Sequence, residues 1–132
     1  MSYEISPTSD ILFSFEDLEV WQKSVDFAKR IIDLSERIRT DHKHLRLIEQ
    51  LEASSAAVAL NIAEGKGRYT KKDFVQFLYV ARGFLYETIT LIIIFHKNRW
   101  INEDQVNEIK RSADEIGKML SNLITSVRHS IV

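Results

Sequence analysis

Cysteine is missing from this chain altogether, so neither a disulfide framework nor a thiolate metal site can hold it together. Proline is nearly missing too. Pro7 stands alone and only four glycines add to it, which leaves the chain free to run in long uninterrupted elements. Neither sign of charge dominates: 18 lysines and arginines stand against 19 aspartates and glutamates, a net charge of -1. That balance removes the simplest electrostatic argument for a nucleic-acid partner, so any such site must be a local patch. Long hydrophobic runs are lacking as well. The strongest, ITLIIIF at 89–95, is far shorter than the ~20 residues of a membrane span and is followed by His96, Lys97 and Arg99. No membrane-spanning helix is therefore expected. The opening MSYEISPTSD has neither the cationic nor the apolar region of a signal peptide, and a cytoplasmic location is the expectation. With 132 residues, one domain with its own core is expected, over 14–129, preceded by a flexible N-terminal extension over 1–13.

What is present is helical periodicity from end to end. The spacing predicts an all-α fold, an antiparallel up-down-up-down four-helix bundle. In the first helix Ser14 is the expected cap, with Asp17 reaching back in a capping box, and Leu18, Trp21, Val25, Ala28 and Ile32 recur at helical spacing. A second row, Phe27, Ile31, Leu34 and Ile38, widens the apolar face, and the helix is expected to end near Arg39. Thr40 or Asp41 is the expected cap of a second helix with the core row Leu45, Ile48, Leu51, Ser55, Val58 and Ile62. Residues 53–59, ASSAAVA, are nearly all small and suit a closely packed interior. Gly65 and Gly67 are expected to supply a positive φ at the helix end, and Thr70 with Asp73 forms a capping box for the third helix. That helix carries Phe74, Phe77, Leu78, Ala81, Leu85, Ile89, Ile92 and Phe95 on one side. Val80, Phe84, Leu91, Ile93 and Ile94 lie off this stripe, so it requires cover on more than one face. Asn102, with Gln105 three later, caps a fourth helix with Val106, Ile109, Ala113, Ile116, Leu120, Leu123 and Val127.

The stretch NIAEGKGRYTKKDF, 61–74, concentrates the polar chemistry. Asn61 and Glu64 share a helical face and read either as ligands for a nucleotide or cation or as a corner lock. In the lock, which a lone carboxylate and amide favour, Glu64 pairs with Arg68 or Arg82 and Asn61 bonds backbone groups, with Gly65 at the turn. Gly65-Lys-Gly67 follows a helix rather than a strand and matches neither a Walker loop nor a dinucleotide fingerprint. Lys66, Arg68, Lys71 and Lys72, with Tyr69 among them, form the nucleic-acid candidate: the cations suit phosphates and the tyrosine suits base stacking. Glu16, Asp17 and Glu19 are positioned to neutralise this corner, while Arg128 adds to it. A second basic group, Arg37, Arg39, Lys43, Arg46, Lys97 and Arg99, gathers at the opposite end and reads as a solvated face. Asp41-x-x-His44 is one half of a pattern that a bundle di-iron site needs twice, and Ser54 and Ser55 have no histidine at local spacing. Glu87 is the one acid in the apolar part of the third helix, where a partner such as Arg82 or Lys97, or an opening to water, accounts for it. No catalytic, cofactor-binding or metal-ligating residue is predicted.

Three phrases occur in order: FEDLEVWQKSVDFAKRI near the start, QLEASSAAVALNIAEGKGR in the middle and FLYVARGFLYET beyond it. Together, over residues 15–128, they resemble the 23S rRNA-intervening-sequence protein family of four-helix bundles, with Asn61-Ile-Ala-Glu-Gly65 the most specific part. The resemblance implies a ring-shaped homopentamer without established enzymatic activity. More distantly the chain is similar to the accessory variability determinant of diversity-generating retroelements, a pentamer whose basic surface contacts nucleic acid. The family usually has serine after the glycine of the third phrase, where this chain has Phe84, a departure that bears on packing and subunit contact there. The expected function is a non-enzymatic homo-oligomer, a pentamer by resemblance, that acts through partner binding or scaffolding. Tyr79, Val80, Phe84 and Ile94 are the expected subunit contacts. The alternative is an RNA- or DNA-binding accessory protein using the basic corner. Expected partners are thus copies of itself, possible RNA or DNA and possible protein, with no cofactor and no membrane.

Overall fold

The computed structural model describes residues 10–131, and the first nine residues of the expected N-terminal extension lie outside them. A 3₁₀ turn at Ser14–Asp17 leads into four helices: α1 Glu19–Ser35, α2 Leu45–Lys66, α3 Lys71–Lys97 and α4 Glu103–His129. There is no strand among the described residues. The four helices form a bundle around Phe27, Ile31, Leu51, Ile62, Leu78, Ile92 and Leu120, all fully buried, each contributing about 1.5–3 kcal/mol.

The start of α1 differs from the expected capping box. Phe13 N–H donates to the Glu16 carboxylate at 2.8 Å, closing the 3₁₀ turn, and α1 begins only after the extended Leu18. The buried face of α1 is Val20, Ser24, Phe27, Ile31 and Leu34. Trp21, Val25 and Ala28 are left half-buried, and Ile32 is 40% exposed. Of the two predicted rows, the one with Phe27 and Ile31 is the core row.

The end of α1 also differs, at Ser35 rather than near Arg39. Ser35 Oγ bonds the Ile32 carbonyl at 2.8 Å and the Glu52 carboxylate of α2, tying the last turn to its neighbour. The chain then turns through left-handed backbone at Asp41, His42 and His44, with φ of 54°, 63° and 61°. His44 precedes α2 without a side-chain cap, and the Thr40 hydroxyl bonds the Lys43 carbonyl, so neither Thr40 nor Asp41 caps this helix. Leu45, at the unpinned start, is 53% exposed rather than core.

The glycine corner works by another physics than expected. No described glycine has positive φ: Gly65 lies inside α2, and Gly67, at its C-cap, has φ -84°. A Cβ on Gly65 would stand 2.6 Å from Phe77 Cβ, a separation that packed atoms do not show, and 3.0 Å from Phe74 Cδ1, tighter than an ordinary contact. Glycine is there because α3 crosses against the backbone of α2. The next helix is capped as predicted at its first bond, Thr70 Oγ1 accepting from Asp73 N–H at 3.1 Å. Farther along the same α2–α3 contact, the buried hydroxyls of Ser54 and Thr88 bond each other at 2.9 Å.

Leu91 belongs to the core at 5% exposure, contrary to its expected place on an uncovered face, whereas Val80 (46%) and Ile94 (39%) are exposed. By length and composition α3 is apolar enough to cross a membrane, a longer stretch than the seven-residue run suggested, but Phe74, Leu78, Leu85, Ile92 and Phe95 are buried inside the bundle. At α4 the reciprocal box forms, Gln105 N–H to Asn102 Oδ1 and Asn102 N–H to Gln105 Oε1, both at 2.8 Å. Across α3–α4, Arg82 reaches Ser121 Oγ at 3.2 Å and Arg128 reaches the Tyr79 hydroxyl at 3.0 Å. Across α1–α4, Lys23 pairs with Glu115 at 3.3 Å and Arg30 with Glu108 at 3.4 Å.

Candidate interaction surfaces

The α2–α3 corner brings its polar residues together selectively. Glu64 pairs with Arg68 at 2.6 Å, one helical turn apart, and the Arg68 guanidinium also lies 4.6 Å from the centre of the Phe77 ring. Asn61 donates its side-chain amide to the Ala57 carbonyl at 2.7 Å, a bond within its own helix. Arg82 takes no part in this corner: it bonds Ser121 and lies 5.0 Å from the centre of the Tyr79 ring. The remaining cations stay exposed, Lys66 5.9 Å from the Phe74 ring centre and Lys71 Nζ 3.4 Å from the Ser130 carbonyl of the chain's other end. Tyr69 is fully exposed between them. One of the cluster's cations is thus neutralised within the corner, while Lys66, Lys71 and Lys72 keep their charge in solvent beside an uncovered aromatic ring.

Two long grooves run between helices. In the α1–α2 groove, of about 530 Å³, the α1 residues Trp21, Val25, Ala28 and Ile32 face Leu60, which is 66% exposed above a floor of alanines 56, 59 and 63. Its charges, Lys29 and Asp33, pair with each other at 3.0 Å. Phe15 closes one end, its ring 5.1 Å from Trp21, and the exposed Phe13 ring extends the aromatic series 5.8 Å beyond it. The α3–α4 groove is larger, about 850 Å³, and mixed: Tyr86 and Ile89 face Lys110, Asp114, Lys118 and Asn122. Asp114 accepts a hydrogen bond from Lys118 and, with its charge 2.9 Å away, holds the ammonium's pKa above the usual lysine value.

The expected contact residues of α3 divide in two. Val80 and Ile94 are exposed, whereas Tyr79 and Phe84 are half-buried and packed against the core. Sequence reasoning missed Leu60 and the alanine floor of α2. Their only signal was a second, non-core spacing within the small-residue stretch. Glu87 is half-buried.

Chemistry in the interior is sparse. The buried hydroxyls bond helix carbonyls, Ser24 to Val20 at 2.7 Å, Ser54 to Leu51 at 3.1 Å and Ser55 to Glu52 at 2.8 Å, the usual fate of serine inside a helix. Among the described residues no group of three or more His, Asp or Glu side chains could hold a metal ion. His44 instead lies against Trp100, their ring centres 4.8 Å apart.

No curated protein matches the chain. Among solved structures it is similar to a protein of unknown function from the S23 ribosomal protein family of Bacteroides thetaiotaomicron. The two superpose with a TM-score of 0.74 at 27% sequence identity, over 80% of this chain and 97% of that one. The profile of the family described as 23S rRNA-intervening sequence protein matches residues 16–122, a span that includes α1, α2, α3 and most of α4. On that match, the chain belongs to the 23S rRNA-intervening sequence protein family.

Proposed function

We propose that this protein is a non-enzymatic scaffold: an antiparallel up-down-up-down bundle that assembles with copies of itself, as a homopentamer, and presents its surface to a partner in the cytoplasm. The antiparallel order is supported by contacts whose numbers run oppositely along each pair of neighbours, Gly65 with Phe77 and Ser54 with Thr88, or Lys23 with Glu115 and Arg30 with Glu108. Self-assembly is carried by one observation, the uncovered apolar surface formed by the α1–α2 groove together with Val80 and Ile94. An apolar groove left open to water in this way is the kind of surface that marks an interaction site. The subunit number rests on the family resemblance, because an apolar pattern cannot count copies; a ring needs a repeated head-to-tail contact that closes. Light scattering over a wide concentration range tests the reading. A pentamer mass is expected, a stable monomer at micromolar protein overturns assembly, and a dimer or tetramer overturns the subunit number alone.

A second reading, nucleic-acid binding at the α2–α3 corner, is favoured by Tyr69, a fully exposed ring flanked by exposed cations. Single strands suit it, phosphates on Lys71 and Lys72 and a base on Tyr69. Reversing both lysines, K71E with K72E, should weaken binding and flatten its log–log salt slope by about 0.7 per lost phosphate contact. Equal binding by parent and variant across salt removes this patch from consideration.

A further inference from the structure

We infer that the α1–α2 groove of one copy is filled by the outer face of α3 from the next, around Val80 and Gly83, an inference that rests on the self-assembly proposed above. The groove is a helix-shaped slot: its apolar wall recurs at Trp21, Val25, Ala28 and Ile32, the spacing that receives a helix laid alongside. Of the two helices that do not form it, α3 carries exposed large apolar side chains, Val80, Tyr86 and Ile94, and α4 carries none among the described residues; Ile11, Leu12 and Phe13 before α1 are exposed as well but lie on a segment that is not helical there. The helix that this chain itself can supply to a helix-shaped slot is therefore α3.

Three further observations agree. Gly83 lies in the middle of α3, yet apart from its own turn of helix nothing comes within 4 Å of where its Cβ would stand. A residue that weakens a helix sits where nothing inside the chain demands it, and close approach of another backbone is what a bare glycine permits. Charge is complementary as well. Glu87, between Val80 and Ile94 on α3, makes no ion pair among the described residues, while Lys29 stands on the groove wall with only the half-exposed Asp33 beside it. Height agrees too. Gly65 meets Phe77 and Ser54 meets Thr88, which sets Leu60 level with the stretch of α3 around Val80 and Gly83. Rotation about an axis along the helices keeps every residue at its height, so in such a ring that stretch is what reaches the next copy's Leu60. Groove and helix are different surfaces, so the contact is heterologous, the type that builds rings.

The absence of cysteine makes the test clean. Variants L60C, V80C and the double variant L60C/V80C are oxidised under mild conditions and resolved by mass under denaturing conditions, after circular dichroism has shown the helices intact. The inference expects a ladder of linked chains from the double variant and single-chain mass from either single variant. As an independent route, K29E and E87K should each lower the oligomer fraction, and the combination should restore it. A linked dimer from L60C alone means groove meets groove and overturns the inference. Unlinked chains from the double variant, with an oligomer mass by light scattering, overturn this docking while self-assembly stands. A monomer mass for the parent protein overturns both.

Discussion

The two contacts that α3 makes with its neighbours are built on opposite principles. Against α2 the contact is dry and close: Gly65 lets the Phe77 backbone region press on its own, and Ser54 meets Thr88 with both side chains buried. Against α4 the contact stands open along a groove of about 850 Å³, bridged at its flank by Arg82 to Ser121 and Arg128 to Tyr79. A glycine lies on each. At Gly65 a Cβ would collide at 2.6 Å, whereas at Gly117 it would rest 3.6 Å from Leu85 Cδ2, an ordinary contact. The same residue type is thus indispensable on one side of a helix and dispensable on the other. What decides is the distance between backbones.

The largest effect should come from forcing the close contact apart. Gly65→Ala is expected to lower stability by about 2 kcal/mol, the usual cost of overpacking where the obstacle is near the backbone and cannot rotate away. Gly65→Val should cost more. Gly67→Ala is the control: its Cβ would lie 3.6 Å from the Glu64 carbonyl, and its φ of -84° suits any residue, so its melting temperature should stay near the parent's. If Gly67→Ala proved as damaging as Gly65→Ala in thermal or urea unfolding, backbone conformation rather than distance would govern this corner.

That pair of glycines also shows what the sequence could and could not disclose. Helix number and type follow from periodicity, and the caps at Thr70 and Asn102 follow from side chains that bond within three residues. Local chemistry is written locally. The reason for Gly65 is not, because it depends on Phe77 from another helix, and from sequence a glycine near a helix end reads first as a positive-φ terminator. The same limit explains α1. Its two apolar rows look alike in sequence, and only the packing of α1 against both α2 and α4 selects Phe27 and Ile31 over Trp21 and Ile32 as core. The α1–α2 loop fails for the converse reason: Thr40 and Asp41 look like caps, but the Thr40 hydroxyl turns to the Lys43 carbonyl, α1 already ends at Ser35 and α2 starts only at Leu45. At the corner candidate, the i,i+4 pairing of Glu64 with Arg68 was visible as one of two options, while the reach of Arg82 to Ser121 needed the fold.

On the open side, the same kind of substitution should reverse its sign. Gly117→Ala removes the helix-weakening glycine of α4 without a collision, and a gain of about 0.5–1 kcal/mol is expected from helix propensity alone. The comparison sharpens if the gain appears in monomer unfolding while light scattering shows the assembly unchanged. A loss of stability would mean that α3 and α4 draw closer in solution than their open groove implies.

The smallest effect should be electrostatic, at the rim of that groove. The Asp114 carboxylate accepts a hydrogen bond from Lys118, and its charge adds to the effect, so the Lys118 pKa lies above the ordinary lysine value. The folded state therefore holds this proton more tightly than the unfolded chain does. The contribution is fully present at neutral pH, below the unfolded lysine value of about 10.4, and is lost as pH rises through the folded value. Both side chains are well exposed, so solvent and salt screen the pair, and Lys118→Met should move the melting temperature less than Gly65→Ala or Gly117→Ala. Its difference from the parent should shrink further in high salt and as the pH climbs through the lysine range. Melting curves of both proteins at neutral and alkaline pH, with and without salt, decide it. A difference that grew with pH would contradict a raised Lys118 pKa, and one that exceeded the effect at Gly117 would show that the open side of α3 is not governed by screened surface charge.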